Sequence, residues 1–176
     1  MWQSLRTLLA NTSILAQRTG CDVERRFSEV ENDAPVPRVG VVGLLAGAAE
    51  RRLLARLGFD HGWDVHLAKT CNGAQVAFEQ LRASVILYDQ DLPEASWRHS
   101  VHTLANFTRP ACVILVSSVA DNNLWEELIR HGGYDVLAKP LRPDEVVRAV
   151  QLAWSFWNGM MKLPAYAGKA RSAHSA

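Results

Sequence analysis

The sequence predicts an α/β protein: a doubly wound, five-stranded parallel sheet with helices on both faces. Two observations carry this. Short β-rich runs alternate with helical patterns over residues 38–158, and the middle runs are apolar on both faces, as strands covered from above and below must be. Parallel neighbours need crossovers, and the helical patterns supply them.

The strands are "RVGVVG" (38–43), "WDVHLA" (63–68), "SVILYD" (84–89), "CVILVS" (112–117) and "YDVLA" (134–138). Between and after them apolar residues recur at three- or four-residue intervals. The sets are Leu53, Leu54 and Leu57; Ala74, Phe78 and Leu81; Trp97, Val101 and Leu104; Leu124, Leu128 and Ile129; and Val146, Val150, Trp154 and Trp157. Each set makes one stripe along a helix, enough to cover a sheet.

Flanking segments read differently. Residues 1–37 begin with a possible amphipathic helix (Leu5, Leu8, Leu9, Leu15) and end in the polar linker "SEVENDAPVPR", where Pro35 and Pro37 prohibit helix. Residues 159–176 carry Lys162, Lys169 and Arg171 without an acid and read as a disordered basic tail.

Bulk properties narrow the function. Nineteen basic against eighteen acidic side chains leave a formal charge of +1, which gives no electrostatic reason to expect nucleic acid or an anionic membrane as partner. No stretch approaches the ~20 apolar residues of a membrane span. The cysteines, at 21, 71 and 112, lack metal or disulfide spacing, and together these features lead us to expect a cytoplasmic protein. His99 and His102 share a helical face but have no third ligand beside them, so no metal is assigned there.

In such sheets chemistry gathers at the carboxyl ends of the strands. The third strand closes on Asp89, with Asp91 following and Leu92-Pro93 breaking the chain. The fourth closes on Ser117-Ser118 and the fifth on Lys139-Pro140. A carboxylate, a hydroxyl and an ammonium are thus expected above one sheet edge.

With "YDQDLP", "ILVSS" and "AKP" in this order and spacing, the segment resembles the receiver domain of two-component response regulators, including single-domain receivers of the chemotaxis type. The resemblance spans about residues 38–157 and implies a flavodoxin-like fold. It makes Asp89 the phosphoacceptor, Ser117 the hydroxyl that contacts a phosphoryl oxygen, and Lys139 the cation paired with the aspartate or its phosphate. The roles suit the groups: a carboxylate can attack phosphorus, and a fixed ammonium and hydroxyl stabilise the equatorial oxygens.

Two features depart from the family. Receivers end their first strand with two adjacent acids that help hold Mg²⁺, whereas "RVGVVGLLAG" offers Gly43 and Leu44. Asp89 and Asp91 are then the only carboxylates for a metal, and a weak or absent Mg²⁺ site is expected. Receivers also often place an aromatic residue three positions before the lysine. Here that residue is Val136, with Tyr134 expected on the same strand face but at another depth.

The expected function is a stand-alone, atypical receiver-like signalling module, not an enzyme. Its partners would be proteins such as a histidine kinase or an output protein, engaged without efficient Mg²⁺-dependent phosphorylation. The alternative is a competent phosphoprotein of a phosphorelay, phosphorylated on Asp89. A small-molecule binder of the same fold ranks last, because "GLLAGAAE" lacks the spacing of a phosphate-cradling loop. The last helix is rich in aromatic residues. Val146, Val150, Trp154 and Trp157 are expected to face inward and Phe156 outward, which leaves two readings: a homodimer through the face formed by the fourth helix, fifth strand and fifth helix, or the N-terminal helix, with Trp2, Leu5, Leu8 and Leu9, folding back over the same surface.

Overall fold

The computed structural model describes residues 38–93, 96–107 and 109–162. The expectations for residues 1–37 and for 163–176 lie outside the described residues.

Ten elements alternate along the chain: β1 (Gly40–Leu44), α1 (Ala48–His61), β2 (Asp64–Leu67), α2 (Cys71–Gln80), β3 (Val85–Asp89), α3 (Trp97–Ala105), β4 (Cys112–Ser117), α4 (Asn122–Arg130), β5 (Asp135–Ala138) and α5 (Pro143–Met161). All pairings are parallel and the strand order is β2-β1-β3-β4-β5. The chain reverses its direction of growth at β1, so the crevice between the tips of β1 and β3 is the topological switch point.

Period-2 alternation divides the core into two layers. Val42, Leu44, Ile86, Tyr88, Val113 and Leu115 pack with Phe78 of α2, Val101 of α3 and Leu128 of α4. Val41, Val85, Leu87, Ile114 and Val116 pack with Leu54 of α1 and with Val146, Val150 and Ala153 of α5. The central strands β1, β3 and β4 are buried throughout, which is why they read as unbroken apolar runs.

Local chemistry sets the helix ends. Thr70 and Asp121 cap α2 and α4 by accepting the N–H groups of Gly73 (3.1 Å) and Leu124 (2.8 Å). Gly62 closes α1 at φ +67°, a left-handed conformation that disfavours a side chain. Cys112 is buried, and burial pushes its thiol up to about 12, so it acts as a small apolar residue.

Tyr134 departs from the expectation. It precedes β5, so strand alternation does not govern it. It packs in the α1–α5 layer against Phe156 (centroids 5.4 Å apart), whereas Val136 packs in the opposite layer. In α5 the fully buried stripe is Val146, Ala149, Val150 and Ala153, with Trp154 and Trp157 half-buried at its margin and Phe156 outside it. Trp157 satisfies its indole N–H with the Pro110 carbonyl at 2.7 Å. The helix runs to Met161, three residues past the expected domain boundary at 158.

Candidate functional site

The site gathers at the carboxyl ends of β3, β4 and β5, beside the tip of β1. Asp89 ends β3 with a side chain that is 0% exposed, a position that costs several kcal/mol for a carboxylate unless its oxygens are paired. Both are. Oδ1 accepts the ammonium of Lys139 at 2.7 Å and the backbone N–H of Asp91 at 3.0 Å; Oδ2 accepts the backbone N–H of Ala46 at 3.0 Å.

Lys139 follows β5 directly, and its own N–H donates to the Ser117 carbonyl at 2.9 Å, which levels the β5 tip with the β4 tip. Its side chain is 17% exposed. The ammonium meets a second carboxylate, Asp91 Oδ2, at 2.8 Å. Burial alone would lower the lysine pKa, but the hydrogen bonds and charges of Asp89 and Asp91 outweigh it and hold the group above its ordinary range.

Ser117 lies at the end of β4 as expected, yet its hydroxyl does not turn toward Asp89. It donates to Gln90 Oε1 at 2.6 Å, also has the Val119 carbonyl within 3.0 Å, and accepts the Val119 N–H at 3.0 Å. Gln90, a residue that no sequence signal singled out, is thus the direct partner of the hydroxyl. It is held in place by its own N–H donating to the Val116 carbonyl at 2.9 Å.

The expected residues therefore divide. Asp89, Lys139 and Asp91 are brought together, while Ser117 is nearby but engaged elsewhere.

The tip of β1 decides how the site would treat a metal. Gly43 pairs with Leu87 and Leu44 with Tyr88, so β1 ends on Leu44, one residue short of the level of Asp89, and Leu45 follows it. Gly43 itself faces the α1 layer. A Cβ there would stand 2.6 Å from Leu54 Cδ2 and 3.0 Å from Leu67 Cδ2, so a side chain at this position would have to push both leucines aside. Leu44 and Leu45 are both buried, one in each layer of the core. No group of three or more His, Cys, Asp or Glu side chains among the described residues is arranged to hold a metal ion. A hard cation requires several oxygen ligands. Here both Asp89 oxygens already accept hydrogen bonds, Asp91 is paired with Lys139, and the adjoining strand end is hydrocarbon. These residues do not fit Mg²⁺.

Beside the site, α3 and α4 are joined by Arg98 and Glu127. Arg98 Nη2 donates to Glu127 Oε2 at 2.9 Å, Nε pairs with Oε1, and the guanidinium lies 4.8 Å from the Trp97 ring centroid. The pair raises Arg98 and lowers Glu127 from their ordinary pKa values. His99 and His102 are both exposed on α3. No helix among the described residues is long and apolar enough to cross a membrane.

No protein-family model matches the sequence, and no curated protein matches it. Solved structures do. The chain is similar to the Vibrio cholerae chemotaxis protein CheY4 (TM-score 0.58, 17% identity, covering 66% of this chain and 98% of that one). It is similar to the signal receiver domain of a putative Luxo repressor protein from Vibrio parahaemolyticus (TM-score 0.61, 22% identity, 69% and 93%). A response regulator from Thermotoga maritima is similar as well (TM-score 0.60, 18% identity, 67% and 98%). At such identities the likeness concerns architecture: the described residues adopt the flavodoxin-like fold of response-regulator receiver domains.

Proposed function

We propose that this chain is an atypical receiver-like signalling module of a two-component system, acting in the cytoplasm through protein contacts, with Mg²⁺-dependent phosphorylation of Asp89 impaired. The observation that carries this reading is the closed state of Asp89. Both oxygens are hydrogen-bonded, its cation is shared with Asp91, and the neighbouring strand end presents Leu44 and Leu45 in place of ligands. The partner surface is the face of α4, β5 and α5, where Ile129 on α4 and Leu152 and Phe156 on α5 are exposed apolar side chains and Phe156 rests on Tyr134. A kinase, an output protein or a second copy of the chain would dock there.

A second reading keeps Asp89 as a working phosphoacceptor. It is favoured by the placing of Lys139, 2.7 Å from the carboxylate, where an ammonium can offset the charge of an acyl phosphate. In that reaction an Asp89 oxygen attacks phosphorus and the donor's leaving group departs, acetate in the case of acetyl phosphate.

Intact-mass spectrometry after incubation with acetyl phosphate, with and without Mg²⁺, separates the two. The first reading expects little or no Mg²⁺-dependent adduct of one phosphoryl group. Stoichiometric Mg²⁺-dependent labelling that disappears in Asp89→Asn would establish the second.

A further inference from the structure

Lys139 has two anionic partners, and they meet it from different sides. Asp89 is 0% exposed and Asp91 is 56% exposed, at 2.7 Å and 2.8 Å from the same Nζ. The buried carboxylate therefore holds the ammonium from within, and Asp91 covers it from the solvent side. A tight turn fixes this arrangement: Asp91 N–H donates to Asp89 Oδ1 at 3.0 Å, and Leu92 N–H donates to the Asp89 carbonyl at 3.3 Å. Asp91 is thus presented to Lys139 by backbone bonds to the residue whose carboxylate shares the cation.

An ammonium at the rim of a buried carboxylate would otherwise be open to an oxyanion from solvent. Asp91 is tethered within a few bonds of that position, so its effective concentration there is on the order of millimolar or higher, and a free anion must compete with it. The second donor that could help such an anion, the Ser117 hydroxyl, is turned to Gln90.

We propose that Asp91 is a built-in anion that occupies the oxyanion position of Lys139, so that a phosphate group must displace it to reach the site. This deepens the reading of the cluster as a receiver-type site. It assigns Asp91 the role of a competitor where the sequence had offered it as a metal ligand.

The test is titration of inorganic phosphate into the full chain at neutral pH, followed by NMR of the backbone amides of residues 89–92 and 139. Ionic strength is held constant with chloride because exposed charges are screened. Asp91→Ala is expected to bind phosphate about tenfold more tightly than the unaltered chain, a change equivalent to about 1.4 kcal/mol. Asp91→Asn, which keeps the shape of the turn, is expected to move in the same direction, and the gain is expected to vanish when Lys139→Gln is added. Affinity within twofold of the unaltered chain in both Asp91 variants overturns the proposal. So does a gain that survives loss of Lys139, and so does absence of binding in every variant. Phosphate forms no acyl bond, so this outcome is independent of whether acetyl phosphate labels Asp89.

Discussion

Ser117 directs its hydroxyl to Gln90, Oγ to Oε1 at 2.6 Å, and leaves the Asp89 carboxylate to Lys139 and the backbone. The hydroxyl has a second acceptor in the Val119 carbonyl and itself accepts the Val119 N–H, so losing Gln90 leaves Ser117 satisfied. Losing Ser117 removes a buried hydroxyl that serves Gln90 and Val119 at once. Gln90→Ala is therefore expected to cost less than about 1 kcal/mol and Ser117→Ala about 1–2 kcal/mol. Urea denaturation of the two variants measures the order, and a larger loss in Gln90→Ala would contradict this account.

Lys139 neutralises a carboxylate with no exposed surface. Replacing it with Met strands that charge against two backbone N–H groups, and a loss of about 3 kcal/mol is expected, much of it recovered in Asp89→Asn with Lys139→Met. The pH dependence has a definite sign. The folded-state pKa of Lys139 lies above the ordinary value of 10.5, so its stabilisation is fully present below that value and is lost as pH rises through the raised one. The urea midpoints of the unaltered chain and of Lys139→Met are thus expected to differ most at neutral pH and to converge above about pH 10.5. A constant gap across the alkaline range would show that Lys139 acts through packing alone.

Much of this arrangement could be read from the sequence because it depends on strand order and burial. "SVILYD" and "CVILVS" agree with Val85–Asp89 and Cys112–Ser117 to within one residue, since strands buried on both faces leave an unbroken apolar signal. Once the strands are parallel, Asp89 and Lys139 must reach the same edge. What the sequence could not supply depends on geometry finer than the period of a strand. The register of β1 against β3, with Gly43 opposite Leu87 and Leu44 opposite Tyr88, is one such feature, because no local pattern encodes that pairing. Asp91 reaches Lys139 only through the turn after β3, and Gln90 meets Ser117 across 27 positions of chain. Tyr134 falls just outside β5, where alternation no longer predicts a face.

Gly43 offers a direct check of that register. A Cβ at this position would come within 2.6 Å of Leu54 Cδ2 and 3.0 Å of Leu67 Cδ2, inside the α1 layer. Gly43→Ala is expected to destabilise by about 1–3 kcal/mol, the range for overpacking a close-packed core. Combining it with Leu54→Val is expected to restore part of that loss, because the clash is with a side chain. Urea midpoints of the single and double variants provide the measurement. Free tolerance of Gly43→Ala, with no further gain from Leu54→Val, would contradict close packing of Gly43 against Leu54.

Phe156 is 54% exposed and rests on Tyr134, with ring centroids 5.4 Å apart and planes inclined at 42°. Leu152, one turn earlier on α5, and Ile129 on α4 are also exposed apolar side chains. Exposed aromatic and aliphatic side chains of this kind have the composition of a contact surface, and burial against a second copy would remove them from water. We expect the full chain to form a dimer whose dissociation constant rises at least about tenfold, 1.4 kcal/mol, in Phe156→Glu, where two like charges would face each other. The fold should survive the change. Phe156 lies outside the buried stripe of Val146, Ala149, Val150 and Ala153, and the lost ring contact is worth about 0.5–1.5 kcal/mol. Light scattering against concentration, paired with urea denaturation of both proteins, reads the two effects separately. A chain that stays monomeric at the highest attainable concentration would remove the dimer, and a variant that unfolds would show that Phe156 belongs to the core.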